Sequence, residues 1–179
     1  MTYSPLPSFN LFLKLLNPLK VNKEDLLKNW HKNKESGIFM STTAWSFALI
    51  SQLRYDLFNK DVCIWLPDYF CNSSLSILRR TKCKLVFYPL NENLEPDLTI
   101  CKEMLSQFDC PDLFIVVHYF GKPTLLNKVY DFCKSKNAWL IEDAAHILRP
   151  VKGVGEKGDF ITYSAHKLLP LYDGAPLII

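Results

Sequence analysis

The 179-residue chain lacks a dominant charge: 21 lysines and arginines stand against 18 acids, a net +3, with no long run of either sign. Nothing in that balance argues for a nucleic-acid partner, while a site for a small anionic ligand remains open. No CxxC pair joins any of the six cysteines, Cys63, Cys71, Cys83, Cys101, Cys110 and Cys133, so the usual zinc spacing is missing and no metal is expected. Several sit in apolar runs, as Cys63 does in Val62–Leu66, and they read as buried free thiols of a protein in a reducing, cytoplasmic compartment. No apolar run approaches the ~20 residues of a membrane span, so no membrane association is expected. Phe9 to Leu19 is apolar but is broken by Lys14 and Pro18. It has no basic leader and no small-residue cleavage site, which argues against a signal peptide. Residues 1–36 read instead as an arm or short helix packing on the domain or on a partner. Repeats and low-complexity tracts are absent. What is present is a globular composition, 49% hydrophobic and 22% charged, with enough length for one domain and a core of its own.

From Gly37 onward, β-type runs alternate with helical patterns. Strands are expected at Gly37–Ser41, Asp61–Leu66, Lys84–Tyr88, Leu113–Tyr119, Ala138–Glu142, Phe160–Ser164 and Pro176–Ile179. Helices are expected at Thr43–Leu57, Asn72–Arg80, Leu98–Phe108 and Leu125–Lys136. The runs Leu113–Val117 and Trp139–Ile141 are continuously apolar rather than alternating, which marks strands buried on both faces. The expected fold is therefore α/β, doubly wound around a mostly parallel sheet, with one domain over residues 37–179. In such sheets ligands bind at the carboxyl ends of the strands. The Ser41-Thr42-Thr43 turn, the Pro67-Asp68-Tyr69-Phe70 loop, Asp143 and Lys167 all fall at those ends.

Asp143 ends one apolar strand, and Lys167 follows the next. That pairing suits pyridoxal 5'-phosphate (PLP): the carboxylate holds the pyridine nitrogen protonated and the amine closes a Schiff base on the aldehyde. Ser41-Thr42-Thr43-Ala44 opens a helix, where unpaired N–H groups and the positive dipole end suit a phosphate; an ordinary N-cap explains the same residues. Tyr69 or Phe70 offers a ring to stack on a planar cofactor, and either serves equally as a core aromatic. His146, three residues beyond Asp143, reaches the ring hydroxyl or the ring face. Thr162 and Ser164 share one face of the strand leading to Lys167, so either hydroxyl reaches the phosphate. His166 points elsewhere.

These segments resemble the DegT/StrS-type aminotransferases, fold-type-I PLP enzymes that mostly aminate keto-sugars attached to nucleotides. Ser41–Ala44 is similar to that family's Ser-Gly-Thr-Ala turn, and Pro67–Phe70 to its Pro-x-(aromatic) loop with one residue deleted. Val117–Pro123 is similar to Val-His-x-(aromatic)-Gly-x-Pro, Glu142–His146 to Glu-Asp-Ala-Ala-(Gln/His), and Gly158–Lys167 to the lysine segment with Thr162 in the serine's place. Two departures stand out: Thr42 replaces a glycine, and Tyr172-Asp173-Gly174-Ala175 replaces Gly-Glu-Gly-Gly. The resemblance implies backbone contacts from Thr43 and Ala44 to the phosphate, Thr162 as its hydroxyl ligand, Asp143 on the pyridine nitrogen, Lys167 on the aldehyde, and Tyr69 or Phe70 on the ring. It also implies a strand order 3-2-4-5-6-7-1 with the seventh strand antiparallel, and a homodimer.

The implied reaction is transfer of an amino group, from glutamate, to a keto-sugar nucleotide in polysaccharide biosynthesis. Family members that carry histidine in place of the lysine act as dehydratases; retention of Lys167 favours transamination. Relatives run roughly twice this length, so the smaller C-terminal domain is expected to be missing and the isolated chain to bind PLP weakly and turn over little. Two other readings stay open: a catalytically inactive binding or scaffold domain, and another fold-type-I reaction such as lyase or decarboxylase action.

Overall fold

The computed structural model describes Phe9, residues 27–30 and residues 36–179. Most of the arm expected over residues 1–36 thus lies outside the described residues; Leu27 packs with Ile161, Tyr163 and Ile178, and Trp30 donates its indole N–H to Leu148 O at 2.7 Å.

Among the described residues seven strands form one sheet: β1 (Gly37–Met40), β2 (Val62–Pro67), β3 (Cys83–Tyr88), β4 (Leu113–Val117), β5 (Trp139–Ala144), β6 (Phe160–Tyr163) and β7 (Ala175–Ile178). Their order is β1-β7-β6-β5-β4-β2-β3, the implied order seen from the other edge. Strands β2 to β6 pair in parallel, and β7 is antiparallel to both β6 and β1. Among residues 36–179 four α-helices cover the sheet: α1 (Thr43–Phe58), α2 (Leu75–Leu78), α3 (Leu98–Met104) and α4 (Asn127–Ser135).

The central strands are apolar on both sides because helices cover both faces. Trp65, Phe114 and Leu140 meet Phe132 of α4 and Cys101 of α3 on one face. Ile64, Leu66, Ile115 and Ile141 meet Phe47 and Ile50 of α1 on the other. Each such side chain withdrawn from water contributes about 1.5–3 kcal/mol.

Two expected helices are shorter than their apolar patterns. Asn72–Ser74 is a 3-10 turn before the single turn of α2, where Ser76 Oγ donates back to Ser73 O at 2.9 Å. Helix α3 stops at Met104, and Ser106 Oγ donates to Glu103 O at 2.8 Å. In both places a serine competes for helical backbone partners. The expectation of buried thiols also needs correction. Cys63, Cys101 and Cys133 are buried, but Cys83 is half-buried and Cys71 and Cys110 are exposed. Burial pushes the Cys101 and Cys133 thiols up to about 12, so both stay un-ionised.

Two aspartates tie the amino ends of the strands: Cys63 N–H donates to Asp112 Oδ2 and Leu140 N–H to Asp159 Oδ2, each at 2.8 Å. The parallel arrangement puts the other ends of β1, β2, β4, β5 and β6 together at the opposite edge.

Candidate active site

At that edge the turn Ser41-Thr42 carries β1 into α1. Thr42 occupies the N-cap position with extended backbone (φ −145°, ψ 160°), yet its side chain makes no capping hydrogen bond. Helix α3 shows the contrast, since Asp97 Oδ1 accepts from the Thr99 and Ile100 amides at 3.0 and 3.2 Å. The first N–H groups of a helix have no intrahelical partner. In α1, with Thr43 and Ala44 buried in its first turn, a side-chain cap does not satisfy them, so the ordinary-cap reading of Ser41–Ala44 does not describe this helix.

Across the sheet, Thr162 pairs in register with Asp143. Among the described residues, the buried side-chain oxygens and nitrogens without a partner are Ser46 Oγ, Arg54 Nε, Thr162 Oγ1 and Ser164 Oγ. Thr162 and Ser164 are fully enclosed. Leaving a buried hydroxyl unpaired costs about 1–3 kcal/mol, a cost that a bound acceptor would remove. Uncapped helix amides with two neutral hydroxyls form a donor set suited to an oxyanion such as phosphate.

Lys167 lies in the turn Ala165–Lys167 after β6. Its side chain is exposed, and its charge acts on both Asp143 and His146. Gly174 joins this turn to α1: its N–H donates to Ser41 O at 2.8 Å, and its carbonyl accepts from His166 N at 3.4 Å. A side chain at Gly174 (φ +130°) would place Cβ 2.8 Å from the Phe39 ring, so glycine is required there. The His166 ring also turns to Gly174, with Nδ1 3.3 Å from its carbonyl.

Glu142 and Asp143 are successive residues of β5 and therefore face opposite sides of the sheet. Glu142 is enclosed by four donors: the Gly155, Lys157 and Gly158 amides at 2.6, 3.1 and 2.7 Å, and His118 Nε2 at 2.9 Å. Burial opposes its ionisation, but His118 and the amides outweigh it and hold the carboxyl below its ordinary range. Asp143 accepts from Ala145 N at 2.9 Å. Burial raises its pKa against the opposing pull of Lys167, that amide and His146.

The aromatic residues separate into two groups. Phe70 turns inward, its ring 5.9 Å from that of Phe47 and packed against the core. Tyr69 is 60% exposed and stacks on Tyr119, with ring centroids 5.5 Å apart and planes at 29°; Tyr119 donates its hydroxyl to Tyr69 O. Burial, followed by the nearby Asp143, raises the Tyr119 pKa, so its hydroxyl keeps its proton. His146 sits in a turn closed by Ile147 N–H to Ala144 O. It is held by Phe120, whose N–H donates to His146 Nδ1 at 3.1 Å. Partial desolvation and then Lys167 lower the His146 pKa.

Sequence reasoning gave no individual role to Glu142, His118, Tyr119 or Gly174. The signal for Glu142 was available: a second carboxylate on a strand buried on both sides needs its own donors.

Among solved structures, an aminotransferase involved in pseudoaminic acid biosynthesis from Helicobacter pylori is similar with a TM-score of 0.74 at 13% identity, over 93% of this chain and 47% of that one. An aminotransferase from Streptoalloteichus hindustanus gives 0.69 at 21% identity, over 86% and 43%. The GDP-4-keto-6-deoxy-D-mannose-3-dehydratase of E. coli with bound hydrated PLP gives 0.68 at 15%, over 86% and 41%. The chain spans less than half the length of each, and at these identities the likeness establishes the fold. The family model described as the DegT/DnrJ/EryC1/StrS aminotransferase family matches residues 25–174, and the chain belongs to that family.

Proposed function

We propose that the chain carries the PLP site of an aminotransferase that passes an amino group, with glutamate as donor, to a keto-sugar nucleotide. The observation that carries this reading is the pair of buried, unpartnered hydroxyls on Thr162 and Ser164, set one strand from Asp143 and just before Lys167. PLP supplies an aldehyde carbon that takes up an amine and a pyridine ring that withdraws electrons from the carbon under attack.

The residues then take the following roles. The Thr43 and Ala44 amides with the Thr162 and Ser164 hydroxyls hold the phosphate. Asp143 would keep the pyridine nitrogen protonated, its carboxylate gaining a charge partner that offsets its own desolvation. Lys167 Nζ would hold the cofactor through its aldehyde and, as a free amine, would carry a proton between donor and acceptor. Tyr69 stacks on the ring; Phe70, turned to Phe47, leaves that role to its neighbour. His146 meets the ring hydroxyl.

The proposed assembly is a homodimer. Trp45, Leu49, Leu53 and Leu57 recur every fourth residue along α1 and are exposed, a face that a second copy can cover; sedimentation equilibrium checks it. Six free thiols support a reducing, cytoplasmic location.

The cofactor reading is tested by borohydride reduction of the PLP-treated chain and peptide mass spectrometry. The expected result is a phosphopyridoxyl adduct on Lys167, lost in Lys167→Ala. An adduct on another lysine, with Lys167 unmodified, overturns the assignment.

A further inference from the structure

We propose that the backbone N–H of Phe120 sets the tautomer of His146, so that the imidazole presents Nε2–H as a hydrogen-bond donor to the cleft at the carboxyl end of β5. A backbone N–H can only donate, and this one reaches His146 Nδ1 at 3.1 Å. The nitrogen that accepts it carries no proton, so the neutral ring keeps its proton on Nε2.

The contact is built into the local backbone. Phe120 is held at φ 53°, ψ 29°, left-handed geometry that is strained for a residue with a β-carbon. Gly121 follows at φ +78°, where an added Cβ would stand 3.3 Å from His146 O. The Phe120 ring also lies along the imidazole, with centroids 6.0 Å apart and planes at 19°. One residue thus fixes both the plane of the ring and the nitrogen that bears its proton. The opposite tautomer would set an Nδ1 proton against the Phe120 N–H.

His146 lies close enough to Asp143 and Lys167 for both to perturb its titration. This inference deepens the PLP reading and rests on it for the acceptor: the partner of Nε2–H is the cofactor's ring oxygen. Phe120 acts through His146 and is a positioning residue.

The first test needs no cofactor. In the chain labelled with 15N-histidine, two-bond proton–nitrogen correlations distinguish the protonated ring nitrogen from the bare one, with His146→Gln supplying the assignment. Nδ1 is expected bare and Nε2 protonated; a reversed pattern or an even mixture overturns the proposal. Replacing Phe120 by its α-hydroxy analogue turns only its N–H into an ester oxygen, and the two tautomers should then mix. An unchanged spectrum shows that Phe120 does not set the tautomer. A reversed or mixed wild-type spectrum overturns the proposal whether or not that variant folds.

The second test is PLP titration. Glutamine offers a carbonyl to the Phe120 N–H and an amide N–H to the acceptor. His146→Gln should therefore bind within about threefold of wild type and His146→Ala about tenfold more weakly, as expected for one hydrogen bond. Equal losses in the two variants overturn the donor role. A chain that shows the expected tautomer but binds no PLP refutes the cofactor reading and leaves the tautomer standing.

Discussion

Glu142 accepts four hydrogen bonds, from three backbone amides and an imidazole, whereas Asp143, the next residue of β5, accepts one. Both are buried, and their pKa values move in opposite directions. Strand geometry sends the two side chains to opposite faces. Glu142 meets the loop before β6 and the imidazole that follows β4, and these use up its lone pairs. Asp143, on the other face near the carboxyl end of β5, accepts only the Ala145 amide and keeps accepting capacity in reserve. One carboxylate is spent on holding the protein together; under the proposed function the other would be kept for a cationic ligand, at a cost in stability while that ligand is away.

The largest test of this contrast is Glu142→Ala. It leaves the His118 Nε2–H and three amides without their acceptor, and a loss of about 3–5 kcal/mol is expected on breaking so enclosed an ionic network. Guanidinium unfolding of the chain measures it, and a loss under 1 kcal/mol would undo the structural role. Asp143→Asn should do the reverse, leaving stability unchanged or raised while PLP affinity falls about ten- to a hundredfold through loss of a charge-assisted hydrogen bond. Wild-type affinity in this variant would make Asp143 a turn residue and nothing more.

Gly158→Ala probes the Glu142 pocket from the side. The new Cβ would lie 2.8 Å from Phe160 O and 2.9 Å from Glu142 Cγ. Overpacking there should cost about 1–3 kcal/mol with little change in the PLP affinity of the folded fraction.

The smallest expected effect is a difference in pH dependence. The folded Glu142 pKa lies below its ordinary 4.5, so its stabilisation is complete above that value and is lost as pH falls through the folded pKa. The folded Asp143 pKa lies above its ordinary 3.8, so its cost is absent below that value and grows as pH rises through it. Unfolding curves of Glu142→Gln should therefore converge with wild type on acidification from below. Those of Asp143→Asn should converge from above. Parallel curves for both would show that the two carboxylates titrate alike.

How much of this was legible in the sequence differs from residue to residue. The continuous apolar runs Leu113–Val117 and Trp139–Ile141 announced strands covered on both faces, because burial on two sides removes the alternation that a half-exposed strand keeps. That Asp143 and Lys167 lie at one edge was legible because a carboxylate and an amine at the carboxyl ends of successive parallel strands must arrive there together. Helix lengths were less legible at Asn72–Arg80 and Leu98–Phe108, since serine hydroxyls that take backbone partners leave the apolar pattern intact while ending the helix.

The chain's own order of residues determined the alternation of strands and helices, the parallel sheet and the edge where polar loops gather, since all of these follow from local periodicity and short connections. Tertiary structure alone decided that Tyr69 is exposed while Phe70 packs into the core, that Thr42 leaves α1 uncapped, that Thr162 and Ser164 stay without partners, and that Glu142 is saturated where Asp143 is not. Those outcomes depend on donors brought from distant segments, such as Gly155–Gly158 to Glu142 and Phe120 to His146. A hydrogen bond is set by where two groups meet in space, and their separation along the chain carries no record of it.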